Sequence, residues 1–425
     1  MSGLLNGWRE LLLTELVGPK GLLSDGDWIE SKDQDPDGEI RLIQLADIGD
    51  GIFIDKSSRF VTRQTAKRLN CTFLKEGDLL IARMPDPLGR SCIFPNVSQE
   101  AITAVDVFIV RPDGTKCTAR WLMNAINSPE VRYSIQDQAG GTTRQRVAGG
   151  KLKALSIPTP PLEEQRRIVA KLDRLTGRAT RAREELGRIP RLIQKYREVI
   201  LGAAFNGDLT REWRDTHGHS EPPTVDLGSV VSDIRYGTAK KCTATANGTA
   251  VLRIPNVSAG KIDLHDLKYT NFDSGELTKL RLQEGDVLVV RSNGSADLVG
   301  RPAQVTGAAV GMAYAGYLIR LRPNKSVIDP RFLVAMLQSP EIRRVIETGA
   351  RSTSGVHNIN SHELASLEIP RPGLDEQREI VRLLESAFSW LDRIATEHAN
   401  ASRLLPKLDQ AILTKAFKGE LLGDD

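Results

Sequence analysis

Two basic, glycine-flanked segments carry side chains suited to contact a nucleic acid. They are residues 140–151, GGTTRQRVAGGK, and residues 349–360, GARSTSGVHNIN. Arginine pairs with guanine through two hydrogen bonds, asparagine and glutamine pair with adenine, and serine or threonine bind phosphate. The candidate contacts are Arg144, Gln145, Arg146, Lys151, Arg351, Ser352, His357 and Asn358. The competing interpretation is a pair of ordinary solvated surface loops.

A second pair of segments places two arginines around a turn. These are residues 83–90, RMPDPLGR, and 291–301, RSNGSADLVGR, and their candidate contacts are Arg83, Arg90, Arg291, Asn293 and Arg301. The alternative is structural support, with Arg83 and Arg291 paired to local acids such as Asp86 and Asp297. A third candidate, the basic turn with Lys240 and Lys241, occurs only in the second half of the chain.

Motifs that would indicate catalysis are absent from the sequence. It contains no phosphate-binding G-x-x-x-x-G-K-[ST] loop, no G-x-G-x-x-G fingerprint, no H-E-x-x-H and no G-x-S-x-G. The Pro-Pro pairs follow Thr159 and Glu221, so the (Asn/Asp)-Pro-Pro-aromatic signature of adenine methyltransferases is missing too. The four cysteines form no C-x-x-C pair, which favours free thiols over a zinc site. The sequence therefore predicts recognition without catalysis and without a metal.

The elements that must position these residues are duplicated along the chain. KEGDLLIAR at 75–83 returns as QEGDVLVVR at 283–291, and SPEVR at 128–132 returns as SPEIR at 339–343. IPTPPLEEQR at 157–166 returns as IPRPGLDEQR at 369–378, and ILGAAFNGDL at 200–209 returns as ILTKAFKGEL at 412–421. The order is kept while the offset grows from 208 to 212 residues. The chain is therefore a tandem duplication.

In each half the apolar pattern changes once, from one typical of strands to one typical of long helices. Before residue 157 short apolar and β-branched runs alternate with Gly, Pro and Asp, which is typical of strands and loops. Residues 120–136 favour a helix that is broken or kinked near Pro129. The predicted fold class is mixed α/β (α+β): two α/β domains joined by two long antiparallel coiled-coil helices in a pseudo-twofold repeat.

The long helices are predicted from a 3.5-residue apolar period sustained over about five heptads after residue 157 and again after residue 369. The predicted packing positions are Ile168, Leu172, Leu175, Leu186, Ile193, Ile380, Leu384, Leu391, Leu405 and Ile412, and the same steps reach Tyr196 and Leu408. Pro190 and Pro406 predict a kink or a local break in each helix. At 1.5 Å per residue, about 40 residues span roughly 60 Å. Two domains on such a spacer suit a ligand with two features at fixed separation, such as double-stranded DNA.

The repeated blocks resemble the specificity subunit of type I restriction–modification systems. The resemblance rests on the blocks at 157–166 and 369–378, the Ala-Phe-x-Gly-(Asp/Glu)-Leu blocks at 204–209 and 416–421, and the runs VLRIPNV at 251–257 and IRLIQLADI at 40–48. It covers essentially the whole chain. It implies target recognition domains at 1–156 and 213–368, and conserved helices for spacing and methyltransferase docking at 157–212 and 369–425.

The resemblance also implies the partners. They would be double-stranded DNA, two adenine-methyltransferase subunits and one or two motor-nuclease subunits, with S-adenosylmethionine, ATP and magnesium held by those subunits. Because the interiors of the two halves differ more than their flanking blocks, we expect an asymmetric bipartite target.

The net charge and the hydropathy of the chain indicate less about its function than the motifs do. The net charge of the 425-residue chain is +4, which is compatible with nucleic acid without indicating it. No secretory signal and no apolar run of membrane-spanning length is visible, so we expect a cytoplasmic protein. Two alternatives remain at this point: a restriction–methylation enzyme that has lost its catalytic part, and a duplicated protein-binding scaffold without DNA specificity.

Overall fold

The computed structural model describes residues 7–85, 87–141, 145–257, 261–349, 351–353 and 356–422. The chain forms two compact units, residues 1–187 with 399–425 and residues 188–398. Each unit contains one α/β domain and one part of each of two long helices. Segment boundaries at 156, 212 and 368 remain a prediction, since the compact units divide the long helices themselves.

The strands of the first unit form two sheets and a two-stranded ribbon. They are β1 (Arg9–Leu12), β2 (Leu22–Asp25), β3 (Ile40–Ile43), β4 (Phe60–Val61), β5 (Leu79–Ala82), β6 (Ser91–Ile93), β7 (Ala101–Thr103), β8 (Val107–Arg111) and β9 (Ser156–Thr159). The sheet orders are β2-β8-β5-β6 and β4-β3-β7, and β1 pairs with β9. Strand β3 is parallel to β7, and the other pairs are antiparallel.

The second unit repeats this plan. Its strands are β10 (Thr224–Asp226), β11 (Val231–Tyr236), β12 (Thr249–Leu252), β13 (Lys268–Thr270), β14 (Val287–Val290), β15 (Ser292–Asn293), β16 (Pro302–Gln304), β17 (Ala313–Tyr314), β18 (Leu318–Pro323), β19 (Arg351–Thr353), β20 (Val356–Asn358) and β21 (Glu368–Pro370). The orders β11-β18-β14-β16, β13-β12-β17 and β10-β21 match those of the first unit, with β15-β20-β19 in addition. The duplication predicted from sequence is thus present in the topology.

The helices complete both units. They are α1 (Leu13–Val17), α2 (Arg63–Arg68), α3 (Ala119–Asn127), α4 (Pro129–Asp137), α5 (Gly149–Lys153), α6 (Leu162–Phe205), α7 (Arg211–His217), α8 (Ile254–Val257), α9 (Ser274–Leu280), α10 (Pro330–Gln338), α11 (Pro340–Gly349), α12 (Ser361–Ala365) and α13 (Leu374–Phe417). The predicted break near Pro129 is confirmed: Ser128 ends α3 and caps α4, whose first residue is the proline. The mixed α/β fold class is also confirmed.

The central strand of each unit is buried on both faces, which explains why its sequence is continuously apolar. Leu79 and Ile81 of β5 join the helices in one core cluster, whereas Leu80 and Ala82 join the core beneath the second sheet. The period of two along a strand sends alternate side chains to opposite faces. Strand β14 divides its four residues in the same way.

Both long helices continue through their prolines. Helix α6 is helical on either side of Pro190, and α13 on either side of Pro406, so the expected local break is absent. A proline removes one backbone hydrogen bond, and each 44-residue helix stays helical on both sides of that gap. Within the first unit Arg183 of α6 pairs with Asp409 of α13, and within the second Arg197 pairs with Asp392 at 2.5 Å.

The ten predicted packing positions are all buried or half-buried. The buried ones are Ile168, Leu172, Ile380, Leu384 and Leu391, and the half-buried ones are Leu175, Leu186, Ile193, Leu405 and Ile412. The extension of the period to Tyr196 and Leu408 is wrong, since these side chains are 56% and 47% exposed. An α-helix has 3.6 rather than 3.5 residues per turn, so the packed face drifts and Leu201 and Ala204 are buried instead.

A buried glutamine joins each domain to its long helix at the same place in both units. Gln165 Nε2 donates to the carbonyls of Lys116 (2.9 Å) and Pro160 (3.0 Å), and its Oε1 accepts from Thr118 N at 3.3 Å. Gln377 repeats this with Val327 O (3.0 Å), Pro372 O (2.8 Å) and Asp329 N (2.8 Å). Thr118 and Asp329 are the N-caps of α3 and α10. The glutamine of the repeated Glu-Gln-Arg block therefore links the first turn of the long helix to a helix of the domain.

Cys92 and Cys117 are buried and Cys71 and Cys242 half-buried, all as free thiols, and burial raises the pKa of Cys92 and of Cys117 to about 12. Among the described helices, including both of 44 residues, we find none long and apolar enough to traverse a bilayer.

Candidate nucleic-acid interface

In the second unit, two separate candidate segments converge on one small sheet. Strand β15 begins directly after Arg291, and it pairs with β20 so that Ser292 lies opposite Asn358 and Asn293 opposite His357. Strand β19, which contains Arg351 and Ser352, pairs with the other edge of β20. The sheet thus brings together six predicted contacts from the second half: Arg291, Asn293, Arg351, Ser352, His357 and Asn358.

Arg291 lies over an aromatic ring. Its guanidinium carbon is 4.6 Å from the ring centroid of Tyr236, and Nη1 is 3.4 Å from the carbonyl of Gly316. The Tyr236 hydroxyl accepts a hydrogen bond from Ser361 N at 2.7 Å, which fixes the ring. Within the described ranges, two buried nitrogen atoms, Arg291 Nε and His357 Nδ1, have no hydrogen-bond partner, and no carboxylate lies within ion-pair distance of Arg291.

In the first unit, Arg83 is buried and used internally. Its Nε donates to Val147 O at 3.0 Å, and its Nη1 donates to Asp25 and to Val105 O, the latter at 3.2 Å. Burial lowers the pKa of Arg83, and the Asp25 carboxylate partly offsets that effect. Arg146 lies beside Arg83 and pairs with Asp106 at 3.2 Å. The alternative of pairing to an acid holds for Arg83, with Asp25 as the partner; Asp86 lies outside the described residues.

Three backbone hydrogen bonds show that Arg83 and Arg291 occupy the same place in the two folds. Arg83 N donates to Asp106 O (2.9 Å) and Arg291 N to Tyr317 O (2.8 Å). Val147 N donates to Arg83 O (3.0 Å), as Ile359 N does to Arg291 O (2.9 Å). Gly26 N donates to Val107 O (2.9 Å), and Gly237 N donates to Leu318 O (3.2 Å). The residues before these glycines, Asp25 and Tyr236, therefore also occupy equivalent positions.

Those two glycines are required by a close approach of backbones. A Cβ on Gly26 would lie 2.1 Å from the carbonyl oxygen of Ala104, and one on Gly237 would lie 2.3 Å from that of Ala315. No side chain fits there without moving backbone, so the ends of β2 and β11 are held against their neighbours. This places the side chains of Asp25 and Tyr236 beside their respective arginines.

The other predicted contacts are buried, paired with other groups of the chain, or exposed. Arg90 is buried, and it donates to the carbonyls of Ile48 (2.6 Å), Pro87 (2.9 Å) and Leu45 (2.9 Å), which favours structural support. Arg301 pairs with Asp297 at 2.8 Å, and Lys240 with Glu276 at 2.5 Å. Lys151 donates to Gln138 O at 2.7 Å, while Gln145 and Lys241 are exposed. Arg144 lies outside the described residues.

Several residues of this interface were missed by sequence reasoning. Asp25, Asp106 and Tyr317 lie on strands or turns far along the chain from the arginines they accompany, and so does Tyr236, which precedes the basic turn with Lys240 and Lys241. An X-Gly pair at the end of a short apolar run, as in Asp25-Gly26 and Tyr236-Gly237, was the available signal. No group of three or more His, Cys, Asp or Glu side chains with metal-binding geometry occurs among the residues described.

The comparisons with known proteins agree with this two-domain plan. The model of the type I restriction modification DNA specificity domain matches residues 17–187. The specificity subunit of the type I restriction enzyme EcoKI from Escherichia coli (strain K12) is 32% identical over 296 residues, which cover 68% of this chain and 63% of that protein. The StySPI specificity subunit from Salmonella potsdam is 31% identical, covering 71% and 65%.

The chain is similar to the specificity subunits of type I restriction–modification systems, and its residues 17–187 match the DNA specificity domain of that family. It aligns with somewhat less than two thirds of the length of these two relatives, 63% and 65%.

Solved structures support the fold. The HsdS subunit from Thermoanaerobacter tengcongensis superposes with a TM-score of 0.67 at 22% identity, covering 98% of both chains. A chain from a structure that concerns complex assembly and conformational transition of the type I restriction–modification system gives a TM-score of 0.69 at 22% identity, covering 99% of this chain and 100% of that one.

Proposed function

We propose that this chain is the DNA-reading subunit of a type I restriction–modification complex and that it recognises a bipartite, asymmetric sequence. The observation that carries the proposal is one architecture present twice with different side chains at its equivalent strand ends: Asp25 and Asp106 in the first unit, Tyr236 and Tyr317 in the second. Two similar domains suit two half-sites, and different side chains at the same positions suit different base sequences.

The proposal assigns no catalysis to this chain. Adenine methylation and cleavage belong to partner subunits, which would also hold S-adenosylmethionine, ATP and magnesium. We place the complex in the cytoplasm, where its DNA substrate would be. Two adenine-methyltransferase subunits and one or two motor-nuclease subunits complete the proposed assembly.

Exposed apolar side chains on the long helices support the docking of two copies of a partner. Leu192 and Tyr196 of α6 are 49% and 56% exposed in the second unit, and Leu404 and Leu408 of α13 are 58% and 47% exposed in the first. Each pair is separated by one helical turn, and the pairs stand at the same positions of the duplication. Large apolar groups exposed together mark interaction surfaces, and a duplicated surface suits two copies of one protein.

The test is methyl transfer with purified components. We expect the chain alone to bind DNA weakly and to transfer no methyl group, and the complex with its methyltransferase partner to methylate one split motif, found by methylome sequencing. Affinity for DNA should fall steeply between 50 and 200 mM salt as phosphate contacts are lost. Methyl transfer by the chain alone contradicts the non-catalytic assignment, and salt-independent binding favours the scaffold alternative.

A further inference from the structure

The two equivalent strand-end arginines have different electrostatic surroundings. In the first unit the carboxylates of Asp25 and Asp106 pair with Arg83 and Arg146, so two positive charges meet two negative ones. In the second unit the corresponding positions are occupied by the uncharged side chains of Tyr236 and Tyr317, and the latter is 63% exposed. The site around Arg291 therefore keeps a positive charge that the site around Arg83 has lost.

The hydrogen bonds of the two arginines also differ, and they leave Arg291 more available to a ligand than Arg83. The buried guanidinium of Arg83 is committed to Asp25 and to the carbonyls of Val147 and Val105, so it reaches a ligand only by leaving all three. Arg291 is half-buried, and it stacks on Tyr236 with one long bond to Gly316 O at 3.4 Å. Stacking on a ring leaves the Nη2 end of the guanidinium available as a donor, which ion pairing with a carboxylate does not.

The surroundings of Arg291 suit a base better than a phosphate. Two-point pairing with guanine requires the guanidinium plane to be held, and the Tyr236 ring, fixed through its hydroxyl to Ser361, provides a platform for it. Asn293 and His357 lie opposite each other on β15 and β20, directly beyond Arg291.

We infer that Arg291 is a specificity-determining residue that reads a guanine in the half-site of the second domain, and that its counterpart Arg83 reads no base. The residue that decides between these roles is the neighbour at the end of the preceding strand: Tyr236 in one domain and Asp25 in the other. This inference rests on the proposed function, since it assigns base contacts within the DNA-reading domains.

The test is methylome sequencing of complexes that carry variants of the full chain with its methyltransferase partner. For Arg291→Gln we expect one G·C pair of one half of the wild-type motif to become tolerant of substitution, with roughly a tenfold to hundredfold loss of discrimination. Arg291→Lys keeps the charge and loses the planar fork, so we expect it to relax the same position. Arg281→Gln, the same change at an exposed arginine of the same unit, should leave the motif unchanged.

A second variant tests whether Tyr236 decides the role of Arg291. Tyr236→Asp restores the carboxylate found in the first domain, and we expect it to relax the same base pair as Arg291→Gln although the arginine is still present. Circular dichroism and thermal melting check that each variant is folded.

Three results would overturn the inference. The first is an unchanged motif with folded Arg291→Gln. The second is a uniform loss of methylation by Arg291→Gln at every position of the motif, together with recovery of methylation by Arg291→Lys, because that result indicates a phosphate contact. The third is relaxation of the motif by Arg83→Gln at a base of the other half-site. A wild-type complex that yields no bipartite motif overturns the proposed function itself, and this outcome is seen before any variant is compared.

Discussion

At the scale of single residues, the network around Arg83 shows how a basic side chain serves the fold. We expect Arg83→Met to lower the free energy of unfolding by about 1–3 kcal/mol, because it leaves the carbonyl of Val147 without a donor and Asp25 without its cation. Denaturant titration of wild type and variant measures the difference. The DNA motif of the folded variant should be that of wild type, and a stability equal to wild type contradicts the structural role.

The carboxyl group of Asp27 provides a pH-dependent measurement. Burial raises its pKa to about 6, against the opposing effects of hydrogen bonds from Thr72 N and the Cys71 thiol. Between about pH 4 and 6 the folded state therefore binds more protons at this group than the unfolded state, so this group makes stability fall as pH rises. We expect Asp27→Asn to remove that part of the fall while keeping an acceptor for Thr72 N, which is 3.1 Å away.

Unfolding titrations at several pH values compare the two proteins. The stability of Asp27→Asn relative to wild type should increase from pH 4 to pH 7. A constant difference across that range would show that Asp27 ionises normally in the folded chain.

At the scale of elements, the paired glutamines explain why the Glu-Gln-Arg block occurs twice. Gln165→Leu keeps a similar volume and removes all three hydrogen bonds to Lys116, Thr118 and Pro160, so we expect it to destabilise the contact of α3 with α6 by about 1–3 kcal/mol. Hydrogen exchange should become faster in the first turns of α6 and of α3. Gln377→Leu should have the same effect on α13 and α10.

The matched control for this change lies on the same helix. Gln194 of α6 is exposed and bonds only to Glu198, at 2.8 Å, among the described contacts. Gln194→Leu should leave exchange at the start of α6 unchanged. Equal effects of Gln165→Leu and Gln194→Leu would show that the buried amide contributes no more than an exposed one.

At the scale of the whole molecule, each compact unit has its own hydrophobic core and its own strand-end residues. Exchange of residues 1–155 for those of a relative should therefore change one half of the target and leave the other half intact. Methylome sequencing of the hybrid complex gives the result directly. If both halves of the motif change, recognition is not divided between the domains as proposed.

The sequence by itself determined the features that depend on local pattern. Duplicated blocks predict two similar domains, apolar periods of two and about 3.5 predict strands and long helices, and Ser128-Pro129 predicts the break between α3 and α4. Of the predicted kink or local break at Pro190 and Pro406, the break is absent, and the predicted heptad positions Tyr196 and Leu408 were wrong. Helix propensity predicts that a proline interrupts a helix, whereas these two prolines lie inside long helices that continue past them. A strict heptad has a period of 3.5 residues, and the α-helix has a period of 3.6.

Only the tertiary structure decided what each basic residue contacts. Arg83 and Arg291 stand in nearly identical sequence blocks, yet their roles depend on Asp25 and Tyr236. Arg83 and Asp25 are 58 residues apart in the chain and meet only through the sheet. Burial and ion pairing arise from contacts between distant segments, which no local pattern records. Whether an arginine is free for the proposed DNA contact or bonded inside its domain therefore depends on the fold.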